Sequence, residues 1–290
     1  MSLSCPYCST TKSSSEDRII VSNGSFIRRS DLSKQQRYLC RACNKSFSQA
    51  SFSPCYRQKK RYLNTSVFEF LASGMSQRRI AKLLKANRKT VVRKFLFMGF
   101  WSHHYLCEER LLHPKSQVVE FDDLETFEHS KLKPLSVTMA VESKTRRILG
   151  FRVSRMPSKG LLAKKSRKKY GLIKDERKKN REELFKELRP HIEELAELKS
   201  DENPHYISSV RRYFPRAEYK RYPGRRGCVV GQGELKAGGF DPLYSLNHSL
   251  AMLRANINRL FRRTWNTTKK AERLSLHIAI YALYHNLALI

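Results

Sequence analysis

The chain has 290 residues, with 58 lysines and arginines against 26 aspartates and glutamates, so its formal net charge is +32 at pH 7. Hydrophobic residues make up 40% of the sequence, enough for ordinary globular cores, and the length suits one large domain with smaller modules. No apolar run is long enough to span a bilayer, and the first residues lack the pattern of a secretory signal. We therefore expect a cytoplasmic protein with reduced cysteines and no membrane partner, whose basic surface binds a polyanion.

Residues 1–55 contain four of the seven cysteines as two CxxC pairs: Cys5, Cys8, Cys40 and Cys43. Two such turns can complete a tetrahedral thiolate site, so the spacing predicts a zinc ribbon with a structural Zn²⁺. A redox dithiol or unrelated thiols are the alternatives. Between the pairs, Asn23-Gly24 separates two strand-like runs and predicts a hairpin turn.

Residues 60–105 predict a helix-turn-helix module. Gly74 ends a first helix, Ser76 is placed to cap a second over 77–84, and a short third helix is expected over 88–98. The side chains expected to face phosphates and base edges in a major groove are Arg88, Lys89, Thr90, Arg93 and Lys94. A helical hairpin with a solvated basic face is the alternative.

Residues 115–290 predict a domain that mixes strands and helices. Three strands are expected at 117–121, 135–141 and 147–153, followed by a long charged helix over 175–198 that Pro190 bends or divides. A short acidic strand end at 198–202, a helix at 204–213 and a strand at 217–219 come next. A polar loop at 224–239 leads to two final helices at 243–263 and 271–289. The fold class is therefore multidomain, α+β with α/β.

Two acids lie at the ends of predicted strands, Asp122 after the first and Asp201 after the fourth. Carboxylates within a nucleic-acid-binding surface repel phosphates unless a metal ion lies between them. The order of three strands, helix, strand, helix, strand and helix is typical of a ribonuclease H-like fold, in which two such acids meet. We expect Asp122 and Asp201 to hold two catalytic Mg²⁺ or Mn²⁺ ions. The alternatives are a turn residue for Asp122 and a helix N-cap for Asp201.

Three segments, 121–127, 200–202 and 247–265, resemble prokaryotic insertion-sequence transposases of the DDE type. The similar group is insertion-sequence-one-like and joins a zinc ribbon and helix-turn-helix to a ribonuclease H-like domain. The resemblance spans essentially the whole chain. It implies a nucleoid-associated homo-oligomer on double-stranded DNA that binds the terminal inverted repeats of its element. Such an enzyme cuts the 3′ ends by attack of water and joins them to target DNA.

The resemblance leaves the third catalytic ligand open between two residues. Such transposases usually carry a Glu on the late helix, with a Lys or Arg two turns further on. In this chain Asn247 occupies the acid position and Arg254 follows seven residues later. An amide oxygen binds magnesium more weakly than a carboxylate, and Glu234 in the polar loop is the alternative. If neither serves, the chain is an inactive transposase copy.

Further basic segments are expected to hold the DNA backbone. On the late helices these are Arg254, Arg259, Arg262 and Arg263. The run 164–170 is another phosphate-binding candidate, for which a solvated loop is the alternative. The rival functions are a sequence-specific regulator that uses only the first two modules and a nuclease that cuts without joining strands.

Overall fold

The computed structural model describes residues 3–9, 19–29, 32–223, 241–261 and 266–289. The chain divides into two compact units, Met1–Thr65 and Ser66–Ile290. The second unit contains both the helices of the predicted helix-turn-helix and the mixed α/β region that follows. Among the described helices, none combines the length and the apolar character needed to cross a lipid bilayer.

The first unit is built on a three-stranded antiparallel sheet of β1 (Ile20–Ile27), β2 (Lys34–Cys40) and β3 (Lys45–Ser48), in that order. The hairpin predicted at Asn23-Gly24 is wrong, because β1 continues through both residues. Gly24 has a φ of +70° and lies at an irregularity in the β1–β2 register, so it forms a bulge inside one strand. The reversal comes later, where the Arg28 N–H donates to the Ser33 carbonyl.

The second unit begins with three helices, α1 (Asn64–Ala72), α2 (Gln77–Leu83) and α3 (Arg88–Leu112). Ser76 caps α2 as predicted, since its hydroxyl accepts the Arg79 N–H at 3.3 Å. Asn87 caps α3 in the same way by accepting the Lys89 N–H at 2.8 Å.

The helix α3 has 25 residues, so its predicted end at residue 98 is wrong. Gly99 stays within the helix for a packing reason. A Cβ at this position would lie 2.6 Å from Cβ of Leu276, so only glycine allows the later helix that carries Leu276 to approach this closely.

The α/β region contains a five-stranded mixed sheet with the order β6-β5-β4-β7-β8. Its strands are β4 (Ser116–Phe127), β5 (Pro134–Glu142), β6 (Ile148–Arg155), β7 (Ile192–Asp201) and β8 (Glu218–Tyr222). The pairs β4–β5 and β5–β6 are antiparallel, whereas β4–β7 and β7–β8 are parallel. The central strand β4 therefore joins an antiparallel half to a parallel half.

Five helices cover or flank this sheet: α4 (Leu162–Tyr170), α5 (Arg177–Leu188), α6 (Ile207–Tyr213), α7 (Tyr244–Asn256) and α8 (Ala271–Leu287). One face of the sheet packs on α7 and α8 through side chains such as Leu124, Met139, Leu250 and Ile278. The other face packs on α5 and α6. Both faces are therefore apolar and covered, as expected for a sheet with parallel strands.

The long helix predicted over 175–198 is wrong in its second half. The helix α5 ends at Leu188, Pro190 lies in a 3-10 turn, and Ile192 begins β7. Within β7, Ile192, Ala196 and Leu198 are buried, whereas Leu195 is 80% exposed. Ile192 and Leu195, which have the spacing of one helix face, therefore differ in burial: Ile192 lies in the core and Leu195 faces solvent.

One other boundary and one alternative differ from what the structure shows. The helix α7 ends at Asn256 and not near residue 263, because Ile257 adopts an extended conformation and is fully buried. The run 164–170, for which a loop was the alternative, lies in helix α4.

His277 on α8 gives the fold a testable dependence on pH. The residue is buried, its Nε2 lies 2.9 Å from the Leu71 carbonyl oxygen, and its ring packs edge-on against Phe95. Burial, together with the nearby Arg259, lowers the pKa of His277 to about 3. In the unfolded chain it titrates near the ordinary value of about 6.5. The unfolded state therefore binds a proton between these pH values that the folded state does not.

We predict that this residue lowers the free energy of unfolding as pH falls from about 6.5 towards 3, by up to about 1.4 kcal/mol per pH unit. Denaturant unfolding of the wild type and of His277→Gln between pH 7.5 and 4.5 measures the effect. At pH 7.5 the variant should be less stable by about 1–3 kcal/mol because the buried contact is perturbed. Its stability should nevertheless fall less steeply with acid. An equal slope in both proteins would contradict the prediction.

Candidate functional site

The four cysteines of the two CxxC pairs converge in the first unit. The Sγ atoms of Cys5 and Cys43 lie 3.6 Å apart, those of Cys8 and Cys40 lie 3.7 Å apart, and all four lie within 4.8 Å of one another. Four thiolates around one Zn²⁺, each at about 2.3 Å from the ion, would be separated by about 3.8 Å. The cluster can therefore hold a structural metal such as zinc.

The local fold explains why these thiols meet. Cys40 ends β2 and Cys43 lies in the turn before β3, and Cys5 packs with Cys40 in a small core with Ile20 and Phe47. The Tyr7 N–H donates to Cys5 Sγ at 3.5 Å, as amides around metal thiolates do. Desolvation, with the neighbouring thiols, raises the pKa of Cys43 to about 12, so metal binding at neutral pH would displace protons.

A pair of acids, Asp122 and Asp201, marks the sheet of the second unit. The parallel register pairs Glu120 on β4 with Lys199 on β7. The paired residues end there, but continuing each strand by two residues leads to Asp122 and Asp201, on the same side of the sheet by alternation, and the Asp201 carboxylate is close enough to influence the Asp122 carboxyl electrostatically. Asp122 does not lie at the end of its strand as predicted, because β4 continues to Phe127 beside β5. Asp201 is the last residue of β7.

The surroundings of Asp122 and Asp201 disfavour ionisation of their carboxyl groups. Burial raises the pKa of Asp122 to about 7, and the nearby Asp201 carboxylate adds to the effect. Burial also raises the pKa of Asp201, with further contributions from Asp123 and Glu202. Burial and neighbouring carboxylates therefore both oppose ionisation of the pair, although the chain as a whole is strongly basic.

Tyr206 is a site residue that the sequence did not indicate. Its hydroxyl donates to Asp122 Oδ1 at 3.1 Å, and its ring packs on Phe121. Burial raises its pKa, as do Asp123, Asp122 and Asp201, so the phenol remains a proton donor. No sequence signal distinguishes Tyr206, because its role depends on the turn after β7 that returns it to β4.

Asp123 points to the opposite side of the sheet from Asp122. It accepts a hydrogen bond from the Thr138 hydroxyl and lines a cavity of about 400 Å³ that also includes Arg177, Arg181 and His205. Asp175 engages the Arg177 guanidinium, while Arg181 donates to the His205 carbonyl at 2.7 Å. This cavity therefore contains cations that the fold already pairs.

The two candidates for a third catalytic ligand differ in what is known of their surroundings. Asn247 lies in the first turn of α7, with an exposed side chain whose Nδ2 donates to Asp241 at 2.9 Å. Glu234 lies outside the described residues. Among the described residues, the four cysteines are the only group of three or more acidic, histidine or cysteine side chains whose ligand atoms converge.

The predicted DNA-reading residues at the start of α3 differ in solvent exposure. Arg88, Lys89 and Arg93 are exposed, and Thr90 is half-buried. Lys94 is only 3% exposed, so its predicted place on the outer face is wrong. It lies between Val91 and Met98 on the helix side that faces the core.

The late arginines also differ from one another. Arg254 on α7 is exposed, as expected of a residue that meets DNA. Arg259 instead packs over the Phe95 ring at 5.4 Å, and burial lowers its pKa to about 10. It belongs to the protein interior more than to the predicted surface. Arg262 and Arg263 lie outside the described residues.

Comparison with known proteins does not assign the chain to a family. No protein-family model matches the sequence, and no curated protein matches it significantly.

We predict that the cysteine cluster binds one Zn²⁺ per chain and that its removal unfolds the first unit. The buried apolar cluster of this unit is small. Small domains of this kind depend on a bound metal or a similar cross-link for stability. Metal content by mass spectrometry and proteolysis with and without a strong chelator measure the two effects. Cys40→Ser should lose zinc and become protease-sensitive, whereas Cys107→Ser should retain both properties. Full protease resistance of the metal-free wild type would contradict the prediction.

Proposed function

We propose that the chain is a DDE-type transposase that binds the terminal inverted repeats of its insertion sequence and catalyses metal-dependent DNA cleavage and strand transfer. The observation that carries the proposal is the parallel pairing of β4 with β7, whose continuations place Asp122 within electrostatic reach of Asp201 on a chain of net charge +32. A basic protein attracts phosphates, and two carboxylates facing those phosphates have a use when cations lie between.

The topology supports a ribonuclease H-like assignment for the α/β region. Three antiparallel strands are followed by the helices α4 and α5, a parallel strand, the helix α6 and a second parallel strand, with late helices on one face. In that architecture the first and fourth strands are neighbours, as β4 and β7 are here.

The acid pair has the chemistry expected of a divalent-cation site. Burial raises both pKa values and neighbouring carboxylates add to the effect, so a bound divalent cation would stabilise the ionised form of the pair. Asp122 and Asp201 would hold Mg²⁺ or Mn²⁺. When bound, such ions lower the pKa of an attacking water or 3′ hydroxyl and stabilise the leaving oxygen.

Asn247 is our preferred third ligand because of how α7 is anchored. The neighbouring Leu246 N–H donates at 2.9 Å to Oε2 of Glu120, which precedes Asp122 by two residues on the same side of β4. Glu120 thus ties the first turn of α7 to the strand that carries the catalytic acid. The exposed side chain of Asn247 can exchange Asp241 for another partner at small cost.

The other side chains of the site orient the acids and the DNA. Tyr206 donates to one oxygen of Asp122 and so fixes the rotation of that carboxylate. Arg88, Lys89 and Arg93, at the exposed start of α3, are suited to contact base edges and phosphates in a major groove. Cleavage breaks the P–O bond at the element end as water attacks, which leaves a 3′ hydroxyl to attack the target strand.

The second candidate function is a sequence-specific DNA-binding regulator or a catalytically inactive copy. The observation that favours it is the identity of residue 247, where an amide replaces the usual carboxylate and donates its N–H to Asp241. This candidate predicts specific binding without cleavage under any divalent metal.

We predict that Asp122→Asn and Asp201→Asn retain binding to terminal-repeat DNA but lose cleavage by about 1,000-fold or more. Metal ions supply several kcal/mol of transition-state stabilisation, and each 1.4 kcal/mol is a tenfold change in rate. Nicking of a labelled duplex that carries the element end, with Mg²⁺, Mn²⁺ or EDTA, measures the loss. Glu183→Gln is a matched control, since Glu183 is an exposed acid of α5 paired with Lys179. Cleavage by Asp122→Asn at the wild-type rate would refute the site.

We also predict that Arg93→Ala weakens binding to the terminal repeat by about 10-fold, because one good base-edge contact contributes about 1–3 kcal/mol. Fluorescence anisotropy with the specific duplex and a scrambled duplex measures the affinity and the discrimination. The control is Lys179→Ala, which removes an equal charge from the exposed face of α5. If both variants lose the same affinity for both duplexes, α3 does not read the sequence.

A further inference from the structure

A groove in the first unit is lined by an unusual concentration of arginine. It has a volume of about 470 Å³ and lies between the three-stranded sheet and the segment 56–61. Five of the residues that line it are arginines: Arg28, Arg29, Arg37, Arg57 and Arg61. The size is that of a site for a small ligand or for a short piece of a polymer.

The first unit has an excess of positive charge that an anion from outside the unit would neutralise. Residues 1–65 include twelve lysines and arginines but three acids, Glu16, Asp17 and Asp31, which lie outside the described residues. The formal net charge of these residues is +9, or +7 once four thiolates bind one Zn²⁺. Like charges held this close raise the energy of the folded unit unless a polyanion neutralises them.

The geometry of two arginines suits phosphate binding. The Arg37 guanidinium lies 5.3 Å from the Phe26 ring centroid, and the Arg57 guanidinium lies 5.3 Å from the ring of Tyr56. These contacts place both guanidinium groups beside aromatic rings of the groove. A guanidinium group has several N–H donors in its plane and can make a bidentate contact with phosphate oxygens.

Neutral donors complete the lining. The groove includes hydroxyl groups from Ser46, Ser48, Ser51 and Tyr56 alongside the aromatic rings. The Ser51 hydroxyl, through a hydrogen bond, is the main cause that lowers the pKa of Tyr56. Hydroxyls can donate to phosphate oxygens as well as accept, so they fit the same ligand as the guanidinium groups.

We propose that this groove grips the sugar-phosphate backbone of one DNA strand, with successive phosphates bound by Arg37 and Arg57. The groove is lined by residues of the first unit alone, whereas the acid pair and the start of α3 belong to the second unit. The proposed contacts are to phosphates, so they add sequence-independent affinity. The proposal goes beyond the proposed function, since a DNA-binding protein without any catalytic activity would use the groove in the same way.

The test compares two double variants of the full chain that remove the same charge. Arg37→Gln/Arg57→Gln alters the groove, whereas Lys34→Gln/Arg41→Gln removes two exposed cations of the same unit that do not line it. Anisotropy with a random-sequence duplex over a range of salt concentrations gives affinity and salt dependence. Zinc content confirms that each variant retains the folded unit.

For the groove variant we expect affinity to fall by about tenfold or more and the log–log salt slope to fall in magnitude by about 2, one per lost phosphate contact. The control variant should lose less than about threefold. Arg37→Lys/Arg57→Lys, which keeps charge without the planar fork, should lose an intermediate amount. Equal losses in the groove and control variants, or an unchanged slope in the groove variant, would overturn the proposal. Repeating the series in an Asp122→Asn background keeps the outcome independent of catalysis.

Discussion

The parallel pairing of β4 with β7 is the constraint on which the second unit depends. It places the antiparallel and parallel halves of the sheet side by side and brings Asp122 within electrostatic reach of Asp201. A slip of one residue would turn every side chain of β7 to the other face, so the apolar residues Ala196 and Leu198 also protect the position of Asp201. The same register of β7 is therefore required for the packing of the core and for the position of Asp201.

Glu120 extends this constraint from the strand to the helix α7. Its carboxylate is buried, and it accepts hydrogen bonds from the Ser143 hydroxyl at 2.7 Å and the Leu246 N–H at 2.9 Å. A carboxylate at a helix N-terminus is favourable because it satisfies free amides and opposes the helix dipole. The same contact holds the first turn of α7, and with it Asn247, near β4. Glu120 is thus a positioning residue in the proposed enzyme.

The features that the sequence predicted correctly are those that short-range chemistry determines. The CxxC pairs, the Ser76 cap and the first three strands of the sheet follow from local spacing and polarity. The predicted helix over 175–198 wrongly includes most of β7, because Leu188, Ile192 and Leu195 repeat at the spacing of a helix face. The burial of Lys94 depends on packing that no local pattern reveals. Tyr206 reaches Asp122 across 84 positions of sequence, so only the tertiary fold identifies it.

Charge that the fold leaves uncompensated distinguishes the proposed ligand sites from internal ion pairs. Burial acts to raise the pKa of Glu187, yet Arg110 and Arg152 engage both its oxygens and outweigh burial, so its pKa is lowered. At Asp122, burial and Asp201 act in the same direction, and the pKa rises. The arginine groove of the first unit presents the opposite case, an excess of cations. Each imbalance costs folding free energy that a ligand of the opposite charge would recover, cations at the acid pair and phosphates at the groove.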